Sequence, residues 1–451
     1  MPPTLRVAII GAGPAGTLCA LSLLRRARSQ GRNIPVTLFD RKIFSSFGPG
    51  GCNMCAGVIS QTLLRALEGL GLAIGPSLIQ REIAGYVLET QGGALRLERP
   101  PGSRIYTAYR GMGPRGLEYD ESRSFDLFLL RAAVSAGAVH VNRLVADLHL
   151  SAGSGSPHRL ELDNGETAEA DVVVGAFGVN SQFARRLEAL GIGYTAPRII
   201  RAAQAEIPLD PEFIAQRFPG EIRILNLGFP EVRFASLTPK RRHVTVSLVG
   251  EAAAGRGLQQ FLAHPRVRAS FPAGWQLPAR YCHCAPRLPV TAAGRPRCDG
   301  LLVIGDADIA RYLKDGIGSA FTTASLAARA ILEAGTSGAA LRAAYYRPSR
   351  RRFLRDNLVG KLLFAANDIL MQSPLAAAAL QRAGAWEQEH LPAGGRPLSE
   401  ALWLMFTGDG PYRLALRKGL RPRLFGRLLR ALVRAAIGGR GRPASSAQGA
   451  A

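Results

Sequence analysis

Leu5-Arg-Val-Ala-Ile-Ile-Gly-Ala-Gly-Pro-Ala-Gly16 is the stretch from which the fold is read. Residues 5–10 have the composition of a buried strand, and three glycines at 11, 13 and 16 follow at once. The pattern then predicts a helix to about Arg28 and a second strand, Val36-Thr-Leu-Phe-Asp40, ending in an acid. Each residue type has a physical reason. Gly11 permits a tight turn, Gly13 lets backbone N–H groups approach a pyrophosphate, and Gly16 lets helix and strand pack closely. The helix N-terminus supplies positive potential, and Asp40 can accept hydrogen bonds from an adenosine ribose. The unit reads as a dinucleotide cradle.

Gly300-Leu-Leu-Val-Ile-Gly-Asp306-Ala, far downstream, is a second apolar strand ending in Gly-Asp, and Lys314-Asp-Gly-Ile-Gly-Ser-Ala320 then opens a helix. A domain that binds only NAD has no need of a late strand returning to the same crevice. A flavin does: Asp306 can hold ribitol hydroxyls while N–H groups at Gly316–Gly318 face the pyrimidine edge of the ring. Between these parts lie Arg123-Ser-Phe-Asp126 before a predicted helix (127–136), and Ala170-Asp-Val-Val-Val-Gly-Ala-Phe-Gly-Val-Asn-Ser181.

In this order the four segments resemble the p-hydroxybenzoate-hydroxylase-like FAD flavoproteins. More narrowly they are similar to the geranylgeranyl reductase family, on Cys55-Ala-Gly-Val-Ile-Ser60 before the helical stretch Leu63–Leu70, Arg123 to Asp126, Lys314 to Ala320, and Met405-Phe-Thr-Gly-Asp-Gly-Pro-Tyr412. Residues 5–180 and 285–340 carry the resemblance. It implies an α/β fold: a Rossmann-type FAD-binding domain with an inserted antiparallel β-sheet substrate domain and a helical C-terminal region. The expected division is 1–82, 115–185 and 285–340 for FAD, and 83–114 and 186–284 for substrate. A basic helical region (341–438) and a disordered tail (439–451) follow. Ala12, Pro14, Ala15, Arg41, Arg123 and Ile317 complete the expected cofactor contacts, and no metal ligand is expected. Three positions depart from the pattern. Phe177 stands where the wider superfamily has Asp in an Asp-Gly motif, Asp308-Ile-Ala-Arg311 replaces a more apolar turn, and Ala56 replaces Gly beside Cys55.

Gly50-Gly-Cys52-Asn-Met-Cys55-Ala-Gly57 falls between the second strand and a helix, where such folds bring the chain close to the flavin ring. Cys55 and Cys52 are the catalytic candidates, under three readings. One cysteine lines the cavity; or the two form a redox pair, its thiol pKa lowered at a helix N-terminus; or they join Cys282, Cys284 and Cys298 around a metal or iron–sulfur cluster. Cys19 lies within the first helix and reads as packing.

Residues 83–110 and 198–250 alternate as strands (Ile199–Ile207, Ile222–Leu227, His243–Val249), which places Tyr106, Tyr109 and Arg110 near a substrate cavity. With 451 residues, 47% of them hydrophobic, the chain has material for more than one core and is too apolar to be disordered. No 18-residue apolar stretch escapes charge or helix breakers, so no transmembrane span is expected. Six cysteines in this length are no disulfide scaffold and point to a reducing compartment.

The net charge of +24 is uneven: residues 341–451 hold 19 Lys/Arg and 6 Asp/Glu, a net of +13. Pro422 opens a basic amphipathic helix in which Arg423, Arg427, Arg430 and Arg434 share one face. Such a helix over 422–437 fits an anionic membrane surface. No nucleic-acid recognition motif accompanies the charge, so nucleic acid is not an expected partner. The expectation is a cytoplasmic FAD-dependent oxidoreductase, peripheral on the membrane face, reducing C=C bonds of a lipid or isoprenoid. NAD(P)H or an electron-carrier protein would supply electrons. The alternatives are an FAD monooxygenase of the same fold and a flavin dithiol or electron-transfer protein using Cys52 and Cys55.

Overall fold

The computed structural model describes residues 5–151, 156–422, and 424, 426, 427, 430, 431 and 433. Five parallel strands form the first sheet, in the order Leu301–Val303, Val172–Gly175, Val7–Ile10, Val36–Phe39, Val139–Val141. Val7–Ile10 is buried along its whole length, as expected of a parallel strand covered on both faces. One face carries the helices Pro14–Ser29, Phe125–Ser135 and Gly316–Arg329. The other carries a three-stranded antiparallel sheet (Val145–His149, His158–Leu162, Thr167–Ala170).

Glycine is obligatory at two points of the opening turn. Gly11 has φ +106°, and a Cβ there would stand 2.6 Å from the Ala176 carbonyl oxygen. A Cβ on Gly16 would lie 1.9 Å from the Gly11 oxygen, so only glycine lets the helix start this close to the strand.

A second sheet runs Cys282–Cys284, Ile199–Pro208, His243–Gly250, Val232–Pro239, Glu221–Asn226, Gly85–Thr90, Gly93–Glu98, with Arg287–Pro289 also paired to Ile199–Pro208. It is antiparallel except at one junction, where Glu221–Asn226 runs parallel to Gly85–Thr90. That junction joins the two chain stretches read as substrate region. Val232–Pro239 was not among the expected strands; it turns Ser236 and Thr238 to the cavity and buries Ala235 and Leu237 behind.

The last helices, Arg347–Gln372, Pro374–His390, Pro397–Thr407 and Tyr412–Gly419, pack against the Gly85–Glu98 hairpin and share a core with Tyr86, Leu88, Leu95 and Leu97. Ser373 and Pro374 separate the first two: Ser373 caps the second helix by accepting from Ala376 N–H, with Pro374 at its first turn. Among the described residues no single helix is long and apolar enough to cross a membrane. Of the tail helix, Leu424 and Ala431 are buried in this C-terminal core, and Arg427 stacks over the Trp386 ring at 4.0 Å. Arg423 and Arg434 lie outside the described residues, as does the tail 439–451.

Candidate active site

Both sheets and the C-terminal helices enclose one cavity of about 1360 Å³. A single drug-sized ligand fills roughly 300–1,000 Å³, so the space exceeds one small molecule. Gly11, Gly13, Pro14 and Ala15 line one end, where the first helix presents its N-terminus. Ala12 and Gly16 sit behind them and shape the turn: Ala12 N–H donates to Asp40 Oδ2 at 2.9 Å. Asp40 Oδ1 accepts from Lys42 N–H at 2.9 Å, which leaves each carboxylate oxygen a further lone pair toward the cavity. Arg41 lines the same end.

Asp306 lines the cavity between the two ends. Among the described residues nothing hydrogen-bonds its carboxyl, and burial pushes it up to about 6, against an opposing pull from Arg110. A Cβ on Gly316 would stand 3.9 Å from Asp306 Oδ1, so the carboxyl rests at the N-terminus of the helix Gly316–Arg329. Gly316 and Ile317 line the cavity, whereas Gly318 is drawn away: its N–H donates to Asp315 Oδ1 at 3.2 Å. Asp315 holds φ +54° to make that cap and pairs with Arg311 at 3.1 Å.

Arg123, expected at the cofactor, is not brought to this cavity. It donates to the Glu118 carbonyl and lines a separate cavity of about 520 Å³ with Tyr109 and Arg242. Arg110 does line the main cavity, and it meets Asp126 through Nε–Oδ1 at 2.7 Å and Nη2–Oδ2 at 3.1 Å. The short strand Tyr106–Thr107, held between Val58–Ile59 and Arg81–Glu82, sets which neighbours point inward. Of Tyr106, Tyr109 and Arg110, therefore, only Arg110 faces the main cavity; Tyr109 bonds His243 Nδ1 at 2.9 Å instead.

Asp126 Oδ2 also accepts from Asn53 Nδ2 at 2.6 Å, and Lys42 Nζ donates to Asn53 Oδ1 and to the Cys52 carbonyl, both at 2.9 Å. This chain, Lys42–Asn53–Asp126–Arg110, ties the cysteine loop over the nucleotide turn; a Cβ on Gly13 would lie 3.3 Å from Asn53 Nδ2. Sequence reasoning missed it, because none of its links is local.

Cys55 lines the cavity, and Cys52 stands behind it. The loop does not meet a helix N-terminus as expected. The strand Val58–Ile59 intervenes, and the following helix is capped by Ser60, which accepts from Leu63 N–H at 3.3 Å. Burial pushes the Cys52 thiol up. Cys282 and Cys284 occupy an edge strand of the second sheet, and all six cysteines are free thiols. Among the described residues no group of three His, Cys, Asp or Glu is placed to hold a metal ion.

The second sheet supplies the other end of the cavity: Gln204, Ile222, Ile224, Phe234, Ser236, Thr238 and Val249, with Phe406 and Thr407 from the C-terminal helices. Phe177, one of the departures from the expected pattern, turns its ring into the wall and packs on Phe183 at 5.3 Å. Asp308 points the other way, to Arg350 at 2.6 Å and the Tyr345 hydroxyl at 2.8 Å, anchoring the Asp306 turn to the C-terminal helices.

No protein-family profile matches the chain, and no curated protein sequence does. Solved structures match over nearly its whole length. A geranylgeranyl bacteriochlorophyll reductase-like protein from Thermoplasma acidophilum superposes with TM-score 0.66 at 17% identity, over 95% of this chain and 99% of that one. A flavoprotein/dehydrogenase from Cytophaga hutchinsonii gives 0.63 at 15%, over 97% and 100%. The tetrameric form of 2-methyl-3-hydroxypyridine-5-carboxylic acid oxygenase gives 0.56 at 19%, over 84% and 97%. At these identities the likeness is one of fold, and this chain shares that fold with these structures over most of its length.

Proposed function

We propose that the protein is an FAD-dependent oxidoreductase similar to the geranylgeranyl reductases, reducing C=C bonds of a lipid or isoprenoid. The observation that carries the reading is Asp306, a half-buried carboxyl that accepts from none of the described residues and faces the same cavity as the Gly11–Ala15 turn. The residues fit the cofactor. The turn and the N-terminus of its helix suit a pyrophosphate, Asp40 has acceptors for a ribose, and Asp306 has acceptors for ribitol hydroxyls. The free N–H groups of Gly316 and Ile317 and their helix N-terminus suit a partial negative charge. Bound FAD would supply hydride transfer.

The chain's part is position and exclusion of water. Ile222, Ile224, Phe234, Val249 and Phe406 offer an apolar wall, which favours a hydrocarbon substrate. Cys55 lines the cavity at the turn end, while the ion pair behind it keeps its loop in place. Electrons would come from NAD(P)H or a carrier protein docking at the surface. We also propose a peripheral position on the cytoplasmic membrane face through the basic segment 422–437, tested by co-sedimentation with anionic and neutral vesicles.

The test of the chemistry is anaerobic incubation of photoreduced, FAD-loaded protein with total membrane lipids, read by mass spectrometry. Products heavier by two hydrogens are expected. Protein that takes up no FAD, judged by the visible absorbance of oxidised flavin, sinks the proposal. The oxygenase among the similar structures favours a second reading, a monooxygenase; turnover without oxygen excludes it.

A further inference from the structure

Lys314 is a cation of this cavity that the reading above does not use. It lines the wall, and its Nζ lies 3.0 Å from the centre of the Phe234 ring on the second sheet. Phe406 stacks behind that ring at 6.4 Å. Gly408 fixes the lysine's backbone end: a Cβ there would lie 2.9 Å from Lys314 Cβ, and the Gly408 carbonyl accepts from Arg311.

Among the described residues no carboxylate or other acceptor meets the Lys314 ammonium. Two acids of this corner, Asp315 and Asp409, are committed elsewhere. Asp315 holds Arg311 at 3.1 Å and the Gly318 N–H at 3.2 Å; Asp409 accepts from Thr62 N–H at 2.9 Å and Thr62 Oγ1 at 2.7 Å. The other cavity-lining cations with buried surroundings, Arg110 and Arg311, have their carboxylates. Burial, with no opposing acid, pulls the lysine well below its ordinary value. Lys314 is half-buried in the cavity wall, and an arriving anion would favour its charged form and offset the desolvation penalty.

We propose that Lys314 is the specificity residue for one anionic group on the substrate, so that the ligand is an amphipathic molecule with an apolar chain and a single carboxylate or phosphate end. The side chain lies on Phe234, a residue of the substrate-side sheet, which assigns it to the substrate rather than to the nucleotide end. The proposal rests on the substrate occupying this cavity, and not on which bond is reduced.

The test is calorimetric titration of the protein, with and without FAD, using palmitate, its methyl ester and hexadecyl phosphate. The wild type should bind at least one anionic probe about tenfold or more tighter than the ester, the range expected of a charge-assisted contact. The anion that wins distinguishes carboxylate from phosphate. Lys314→Met should erase the preference by weakening the anion alone, and Lys314→Arg should keep it. Equal binding of acid and ester by the wild type overturns the proposal without any variant. So does a preference intact in Lys314→Met, or a loss that falls equally on both probes. A shifted flavin potential in Lys314→Met with the preference unchanged assigns the lysine to the cofactor and also overturns it. Protein that binds no FAD yet prefers the anion would sink the FAD reading and leave this one standing.

Discussion

Arg110 and Asp126 form a two-bond ion pair whose side chains are 5% and 0% exposed. The Asp126 carboxylate is shared with Asn53, so one buried acid holds both a cavity-lining cation and the cysteine loop. Removing one partner of such a pair strands the other charge and costs about 3–5 kcal/mol. Asp126→Ala should therefore lower the melting temperature sharply and loosen the loop. Asp126→Asn, which keeps hydrogen bonds, should lose less. Limited proteolysis at residues 48–57 and thermal melts check both; an Asp126→Ala protein as stable as the wild type would contradict the account.

Asp306 and Asp315 both stand at about 6, raised by burial. Below the ordinary carboxylate range both are protonated in the folded and unfolded chains alike, and this contribution to stability is full. As pH rises through about 4 to 6 the unfolded chain ionises first. The folded protein keeps its protons longer, so stability falls across that window and levels above it. These two contributions therefore fall toward neutral pH, against the opposite contribution of His243, which burial holds down at about 4. Asp306→Asn should remove part of that slope, visible in melts across the range. The same variant should retain far less flavin through gel filtration than the wild type.

The nucleotide turn allows no side chain at position 16. Gly16→Ala places a methyl 1.9 Å from the Gly11 carbonyl oxygen, a clash between backbone and Cβ that no rotamer relieves. The helix must move off the strand, widening the turn at Gly13. Expected is loss of soluble expression, or soluble protein devoid of flavin; a fully flavinated Gly16→Ala protein would show that the turn is read wrongly.

The two ends of the molecule differ in how much of them the sequence reveals. Val7–Ile10, Val172–Gly175 and Leu301–Val303 are legible because buried parallel strands are nearly all apolar and each ends in a turn with its own chemistry. Asp40, Asp306 and the helix at Gly316 are legible for the same reason: strand, turn and helix are neighbours in sequence. Arg123 is expected at the cofactor and Arg110 near the substrate cavity, yet Arg110 lines the main cavity and Arg123 a separate one. The choice is made by pairing of Tyr106–Thr107 with two distant strands. Likewise Phe406 and Thr407 close the cavity from almost the end of the chain, through packing on the Gly85–Glu98 hairpin that no local pattern encodes.

The cysteine loop yields the sharpest contrast between readings. A redox pair needs Cys52 as a ready thiolate, yet burial pushes its thiol up and its Sγ stands behind the cavity wall, accepting from Met54 N–H at 3.3 Å. A serine hydroxyl can accept the same bond. Cys52→Ser should thus keep its flavin and turn over within about twofold of the wild type, because the hydrogen bond survives and the residue does not line the cavity. Cys55 lines the cavity, and a bulky Cys55→Phe should obstruct it and raise KM or abolish turnover while flavin stays bound. Steady-state kinetics on both variants, with flavin content measured in parallel, separate the cases. Loss of turnover in Cys52→Ser with flavin retained would establish the dithiol reading instead, because only a thiol that exchanges electrons is missed when its hydrogen bond survives.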